Sequence, residues 1–335
     1  MEKSKQAGFI LIEHNKTVYN FIQNKTKNKM KKLYFIAILA LAITEVSAQQ
    51  DPHYTQYMYN MSVINPAYAG SKEGLSGGLL YRAQWVGIEG APTTGTFFIH
   101  SPVGRNVGLG LSIIADKIGP VQENNIYGDF SYTLNLGGEH RLAFGLKAGA
   151  TMHKIDFNTI YQTLPQPSTS DPFYAANPNN TFLNIGSGVF YYTDKYYIAL
   201  SVPNMLRSKY LDFNGRQYGT EVIHYFLTGG YVFDLNPNLK FKPFAMIKSS
   251  VNAPTSFDVS TNFMFFDKLE LGATYRLQDS FGAMVNFAIT PNLRVGYAYD
   301  HIVSDLKVVA PASHEFMVLF DLNFPKKVSR SPRYF

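Results

Sequence analysis

The sequence predicts an all-β fold, a transmembrane antiparallel β-barrel of about 14 strands, and two observations lead to this prediction. From residue 74 to residue 324 the chain falls into segments in which polar and apolar residues alternate, which places the two kinds of side chain on opposite faces of a strand. The connections between these segments alternate between very short and long. A soluble sandwich also explains the alternation, but short turns at one end and long loops at the other are typical of bacterial outer-membrane barrels.

The fifth segment shows the alternation clearly. Leu142, Phe144 and Leu146 fall on one side of an extended chain, and Lys147 and Thr151 fall on the other. One face therefore suits lipid and the other suits water. The predicted strands cover residues 75–87, 93–102, 106–116, 124–136, 140–154, 181–193, 195–203, 224–235, 239–250, 254–266, 268–278, 280–290, 293–302 and 312–324.

The lengths of the connections predict the orientation in the membrane. Joins after even-numbered segments are tight, as at 137–139 and 236–238. Joins after odd-numbered segments include one of about 25 residues, 155–180, and one of about 20, 204–223, well above the usual hairpin loop of about two to five. Because an even number of strands returns both termini to one side, we expect the long loops outside the cell and the termini in the periplasm.

Composition supports a membrane barrel and excludes other classes. Aromatic residues make up 15% of the 335 residues and charged residues only 16%, against roughly 25% charged in soluble domains. The absence of cysteine excludes disulfides and thiolate metal sites. The net charge of +6 does not indicate nucleic-acid binding, because eight of the 30 basic and three of the 24 acidic residues lie in 1–48, which leaves 22 against 21.

Residues 1–48 contain a predicted signal peptide. Residues 30–32 are a short basic region, 33–43 are apolar, and 46–48 form a small-residue cleavage site before Gln49. Eleven apolar residues are too few to span a bilayer as a helix, which takes about 20. The 29 residues before Met30 are longer than a leader needs, so we interpret them as a misassigned upstream start, with the true start near Met30.

Two segments flank the predicted barrel. In residues 49–73, Tyr54, Tyr57, Met58 and Met61 recur at spacings of three and four, which predicts a short amphipathic helix. This segment could close the lumen or project into the periplasm, and the sequence leaves both open. The basic residues 325–335 follow the last strand as a predicted periplasmic tail, either a solvated end or a docking site.

The sequence predicts no enzyme. Residues 74–78 match the G-x-S-x-G pattern of serine hydrolases, but they lead into a strand without the helix that this chemistry requires. The eight histidines show no metal-ligand spacing. We therefore expect no catalytic residues, no metal and no cofactor.

The second long loop carries residue types that bind other proteins. It contains Arg207, Tyr210, Arg216 and Tyr218, and Tyr and Arg are enriched at interfaces. The alternative is that these side chains make ordinary contacts with solvent.

Several stretches of the chain resemble one family. They are 51–60 (DPHYTQYMYN), 64–71 (INPAYAGS), 81–85 (YRAQW), 201–204 (SVPN), 295–300 (VGYAYD) and 313–317 (SHEFM). In this order they resemble the PorP/SprF family of Bacteroidetes, whose members are outer-membrane proteins of the type IX secretion system.

The resemblance implies a multi-pass outer-membrane protein without catalytic activity that serves secretion and gliding motility. The implied partners are outer-membrane lipid, a secreted cell-surface adhesin with a type IX C-terminal domain, and periplasmic secretion components, with no nucleic acid. The predicted contacts are the four loop residues above and, in the N-terminal block, Tyr54, Tyr57, Asn65, Pro66 and Tyr68. The alternative function is a porin-like or FadL-like passive transporter for small or apolar solutes, although such transporters have a longer N-terminal hatch than the roughly 25 residues available here.

Overall fold

The computed structural model describes residues 54–72, 74–156, 179–206, 209–213, 216–220, 222–251, 253–308 and 312–323. The chain divides into two compact units. One comprises residues 48–251 and 255–335, and the strands discussed below belong to it. The other comprises 1–47 and 252–254 and lies almost wholly outside the described residues.

The described residues are mainly strands, with a few short helical turns. The strands are β1 (Gly74–Ala83), β2 (Thr93–Pro102), β3 (Val107–Ile118), β4 (Val121–Gly137), β5 (His140–Ile155), β6 (Asn179–Tyr192), β7 (Tyr196–Val202), β8 (Lys209–Phe213), β9 (Arg216–Thr220), β10 (His224–Tyr231), β11 (Phe233–Asn236), β12 (Leu239–Ser250), β13 (Ala253–Phe265), β14 (Leu269–Arg276), β15 (Ser280–Thr290), β16 (Leu293–Ile302) and β17 (Ala312–Asn323). The helical turns are Tyr57–Tyr59, Met61–Ile64, Pro66–Tyr68 and Asp305–Val308. No helix in these ranges is long and apolar enough to cross a membrane.

Hydrogen bonds between neighbouring strands close the sheet into a barrel. Each strand from β1 to β6 pairs with the next, β7 pairs with β10, β1 also pairs with β17, and the order continues through β16, β15, β14 and β13 to β12. The pairing of β10 with β12 completes the ring. Because β11 continues β10 after an interruption at Val232, the ring has 14 strands. The predicted antiparallel barrel is confirmed.

The two ends of the barrel differ. At the short-turn end, β4–β5, β13–β14 and β15–β16 are joined by two or three residues. At the opposite, long-loop end, β5 stops at Ile155 and β6 starts at Asn179, and β7 stops at Val202 and β10 starts at His224. Some joins at the long-loop end are short as well, including the two residues between β3 and β4.

The strands present apolar side chains outward and polar side chains inward. Leu146 and Leu183 are 63% and 75% exposed, whereas Lys147 and Asn184, next to them in the chain, are at most 2% exposed. An apolar outer surface that faces lipid and a polar interior are the pattern of transmembrane barrels.

An aromatic band crosses the outer surface near the short-turn end. Neighbouring rings along it lie 4.2–5.9 Å apart between centroids. Its members are Tyr196, Tyr231, Phe233, Phe241 and Phe263. Aromatic girdles of this kind mark the boundary between lipid and water in outer-membrane barrels.

The structure differs from the sequence prediction in the second long loop. Residues 209–213 and 216–220 form a separate two-stranded sheet, β8–β9, within the join at 204–223, where we predicted a long loop and no strands. The residues between the two strands are Asn-Gly, the strongest short-range signal for a two-residue hairpin. The Asn-Gly pair therefore indicated a hairpin, but the residues on either side of it are largely charged and polar and do not show the pattern of a membrane strand.

Candidate functional site

Residues 54–72, called here the luminal segment, lie inside the barrel. All of them except Tyr59, Gly70 and Lys72 are buried. The chain folds locally in short turns because Asn65 accepts a hydrogen bond from the backbone of Ala67 at 2.9 Å and Pro66 starts the next turn. The candidate site is the contact between this segment and the inward-facing side chains of the strands.

Near the long-loop end, a buried ion cluster holds the start of the luminal segment. The Arg82 cluster consists of Arg82, Asp300 at 2.8 Å and Glu315 at 3.2 Å, each at most 2% exposed. Glu315 also accepts hydrogen bonds from the backbone N–H groups of Thr55 and Gln56, both at 2.9 Å. The Thr55 hydroxyl donates to Asp300 at 2.5 Å. One cation thus faces two carboxylates, and the luminal segment donates the hydrogen bonds that they still require.

Near the short-turn end, a second ion cluster holds the middle of the segment. In the Glu270 cluster, the fully buried Glu270 carboxylate contacts Lys242 at 2.9 Å, the Asn262 amide at 2.6 Å and Arg294 at 3.5 Å. The Tyr59 hydroxyl donates to the same carboxylate.

The opposite wall of the barrel holds the segment through its carbonyl groups. Lys147 donates to the carbonyl of Val63 at 3.0 Å and lies 3.4 Å from Asp129. The Ser201 hydroxyl donates to the carbonyl of Ile64 at 2.9 Å. These contacts satisfy carbonyl groups of a short helix that has no following turn whose N–H groups could donate to them.

Farther along, the segment packs directly onto strand backbones. A Cβ atom on Gly145 would lie 2.0 Å from the backbone nitrogen of Ala67, and one on Gly108 would lie 2.1 Å from the carbonyl oxygen of Ala69. Only glycine allows so close an approach. At these two positions, glycine lets the luminal segment pack directly against the strands.

The N-terminal contact residues predicted from sequence all lie in this interior. They are Tyr54, Tyr57, Asn65, Pro66 and Tyr68. The Tyr54 hydroxyl bonds the Thr96 hydroxyl at 2.8 Å, and the Asn65 amide donates to the carbonyl of Val189 at 3.0 Å. These partners belong to the chain's own strands, so contact of these residues with another protein stays a prediction.

The predicted contacts in the second long loop cannot be placed in the same way. Arg207 lies outside the described residues. Tyr210, Arg216 and Tyr218 belong to β8 and β9, and their side chains lie outside the described residues as well. Partner binding through these four residues stays a prediction.

The sequence analysis did not predict the Arg82 cluster, although it singled out the stretches that contain all three of its members. Arg82, Asp300 and Glu315 lie in the stretches 81–85, 295–300 and 313–317 that carry the family resemblance. A charged residue at an inward-facing position of a membrane strand is the signal that could have identified each one. Their mutual contact depends on β1, β16 and β17 being neighbours in the barrel.

The serine of the hydrolase-like pattern is surrounded by potential triad partners but lacks triad geometry. Ser76 is opposite His100 on β2 and opposite Asp321 on β17. A triad histidine donates its Nδ1 proton to the acid, whereas the Nδ1 atom of His100 accepts from the backbone of Gly70 at 3.2 Å. Asp321 pairs instead with Lys72 at 3.0 Å. Among the described residues, no group of three or more His, Cys, Asp or Glu side chains is placed to hold a metal ion.

Comparison with solved structures found similarities to outer-membrane proteins. Among solved structures, the outer membrane protein Omp33 of Acinetobacter baumannii is 12% identical, covers 76% of this chain and 100% of its own, and has a TM-score of 0.42. A FadL homologue of Pseudomonas aeruginosa is 12% identical, with 78% and 93% covered and a TM-score of 0.45. The toluene transporter TbuX of Ralstonia pickettii is 11% identical, with 78% and 92% covered and a TM-score of 0.47. A comparison with curated proteins gave no match.

The family assignment comes from a different comparison. The family model described as type IX secretion system membrane protein PorP/SprF matches residues 46–320, which is most of the chain and includes every strand of the barrel except the last residues of β17. The match confirms the resemblance, and with the closed barrel it confirms a multi-pass location in the outer membrane. The chain belongs to the PorP/SprF family of type IX secretion system membrane proteins.

Proposed function

We propose that this protein is a non-enzymatic outer-membrane component that helps export or anchor a large cell-surface adhesin in type IX secretion and gliding motility. The observation that carries the proposal is the luminal segment, which fills the barrel of a secretion-system family member with a buried network of ion pairs. A barrel filled in this way serves better as an anchor than as a pore.

The proposal assigns each end of the barrel to one side of the outer membrane. The short-turn end faces the periplasm, with the tail at 325–335 available to periplasmic secretion components. The long-loop end faces outward, where the loops around 156–178 and 203–223 bind the secreted partner. The leader within residues 1–48 is removed, and N-terminal sequencing of the exported protein should begin at Gln49.

The passive-transporter alternative makes an opposite prediction about conduction. Because the luminal segment fills the barrel, we expect no open path for ions through it. Planar bilayers that contain the purified protein should therefore show no channel currents. A variant that lacks residues 54–72 is the matched control, and we expect it to conduct. Steady open-channel currents from the unaltered protein would favour transport.

Gene deletion followed by surface proteomics tests the anchoring role. We expect deletion to remove one adhesin from the cell surface without changing general permeability. An unchanged set of surface proteins would contradict the proposal.

A loop variant sharpens this test. Because β8 and β9 form a two-stranded sheet separate from the sheet of the barrel, replacing residues 207–221 by a short Gly-Ser linker should leave the barrel assembled and still remove the adhesin. The control is a Gly-Ser insertion in the 237–238 turn at the opposite end, which should keep the adhesin at the surface.

A further inference from the structure

We propose that a pocket in the long-loop half of the lumen binds one uncharged apolar side chain of a polypeptide that arrives from outside the cell. The proposal rests on the proposed function, which supplies a secreted partner at that end of the barrel. It adds a specific site inside the barrel to the contacts expected from the loops.

The pocket lies between the luminal segment and the barrel wall. Its apolar lining includes Tyr54 and Tyr57 from the segment, and Tyr127, Phe226 and Met246 from the strands. Its volume is about 80 Å³, several times the ~10–15 Å³ that one water molecule needs on this measure. A single side chain fits, and a folded domain does not.

The exposure of the lining residues shows where the pocket opens. Ile114, Glu123 and Asn204 lie toward the long-loop ends of their strands or just beyond, and each is partly exposed. Tyr127 and Met246, deeper in the barrel, are 3% and 4% exposed. The luminal segment blocks the way to the short-turn end, so an occupant enters from the long-loop end.

The charges around the pocket favour a neutral occupant. Lys147 and Lys248 line it with two positive charges. Glu123, also in the lining, and Asp129, 3.4 Å from Lys147, bring two negative charges. With no net charge to neutralise, and with mainly aromatic and aliphatic walls, the pocket suits an apolar group.

The position of the pocket favours a polypeptide over a free solute. Asn204 belongs both to the pocket lining and to the join at 203–223 that carries the predicted partner contacts. A solute that fills only this small volume makes few contacts. A side chain on a partner already bound to the loops enters at a high effective concentration.

Photocrosslinking in the native strain tests the proposal directly. Photoreactive p-benzoylphenylalanine would replace Ile114 at the mouth of the pocket and, as the control, Leu183 on the lipid-facing surface. We expect the Ile114 variant to form a covalent adduct with a secreted protein, at or beside an apolar residue that mass spectrometry identifies, and the Leu183 variant to form none. Adducts only within the chain itself, only with lipid, or not at all would overturn the proposal.

A pocket-filling variant gives a second measurement. Met246→Trp should occupy the pocket and reduce the surface-retained adhesin at least tenfold, while Leu183→Trp should leave it unchanged. The amount of folded protein in the outer membrane is compared for both variants, and if Met246→Trp does not assemble, the crosslinking decides. If gene deletion removes the adhesin but assembled Met246→Trp retains it, the pocket proposal fails and the proposed function stands.

Discussion

Two stretches of the luminal segment, residues 54–59 and 67–69, are held inside the barrel by different physical means. Residues 54–59 depend on buried charges of the Arg82 and Glu270 clusters, whereas residues 67–69 depend on the close approach of backbones at glycines 108 and 145. An ion cluster is stable only while every partner is present, because a buried charge without its partner is costly. A glycine contact is steric and fails when a side chain is added. The comparison predicts that the first stretch is released by removing a charged partner and the second by adding a side chain at a glycine.

The largest effect is expected from breaking the Arg82 cluster. Arg82→Met removes the cation that pairs with both Asp300 and Glu315, and we expect a loss of about 3–5 kcal/mol in the free energy of unfolding. Urea titration of the purified barrel measures it. The triple variant that adds Asp300→Asn and Glu315→Gln should recover much of the loss, since no buried charge is then left unpaired. Equal stability of the single variant and the parent would contradict the role of the cluster.

The next effect is expected at the glycine contacts. Gly145→Val places side-chain atoms where the backbone of Ala67 lies, and we expect a loss of about 1–3 kcal/mol from overpacking. The segment should also loosen, which maleimide labelling of Ala67→Cys detects in a chain without other cysteines. Gly95→Val is the matched control, because a Cβ there meets nothing within 4 Å. Equal labelling in both backgrounds would show that the close approach does not hold the segment.

A smaller effect is expected at Tyr59. Tyr59→Phe removes one donor to Glu270 and leaves Lys242, Asn262 and Arg294 in place. We expect a loss of about 1 kcal/mol, the usual net value of one hydrogen bond, in the same urea titration. A loss as large as that of Arg82→Met would mean that the Glu270 cluster depends on the segment more than its contacts indicate.

The smallest effect is expected from an ion pair outside the lumen. Lys195 and Asp234 lie 3.1 Å apart near the short-turn end, with about half of each side chain exposed. Water screens such pairs, so Lys195→Ala should leave the urea midpoint unchanged within error. A clear shift would show that burial does not explain the difference between this pair and the Arg82 cluster.

The strands were predictable because alternation is a local property of the chain. The fourteen predicted ranges match the ring strands closely, and the fifth, predicted at 140–154, is observed at His140–Ile155. The first strand is shorter than predicted. It stops at Ala83, and Trp85 beyond it has a φ of 50°, a left-handed conformation that ends extended structure.

The interior was less predictable because its contacts join distant parts of the chain. Thr55 meets Glu315 across 260 residues, and no spacing rule connects two such positions. The same holds for Gly145, whose lack of a side chain has meaning only once Ala67 is known to lie beside it.

The sequence alone determined the fold class, the fourteen strands of the ring with limits good to a few residues, and the family, because periodicity and motifs are local properties of the chain. Only the tertiary structure decided that residues 54–72 fill the lumen, which side chains hold them there, and where a pocket remains. Closing the barrel brings β1 beside β17, and a contact between the two ends of a chain depends on that closure rather than on any local pattern.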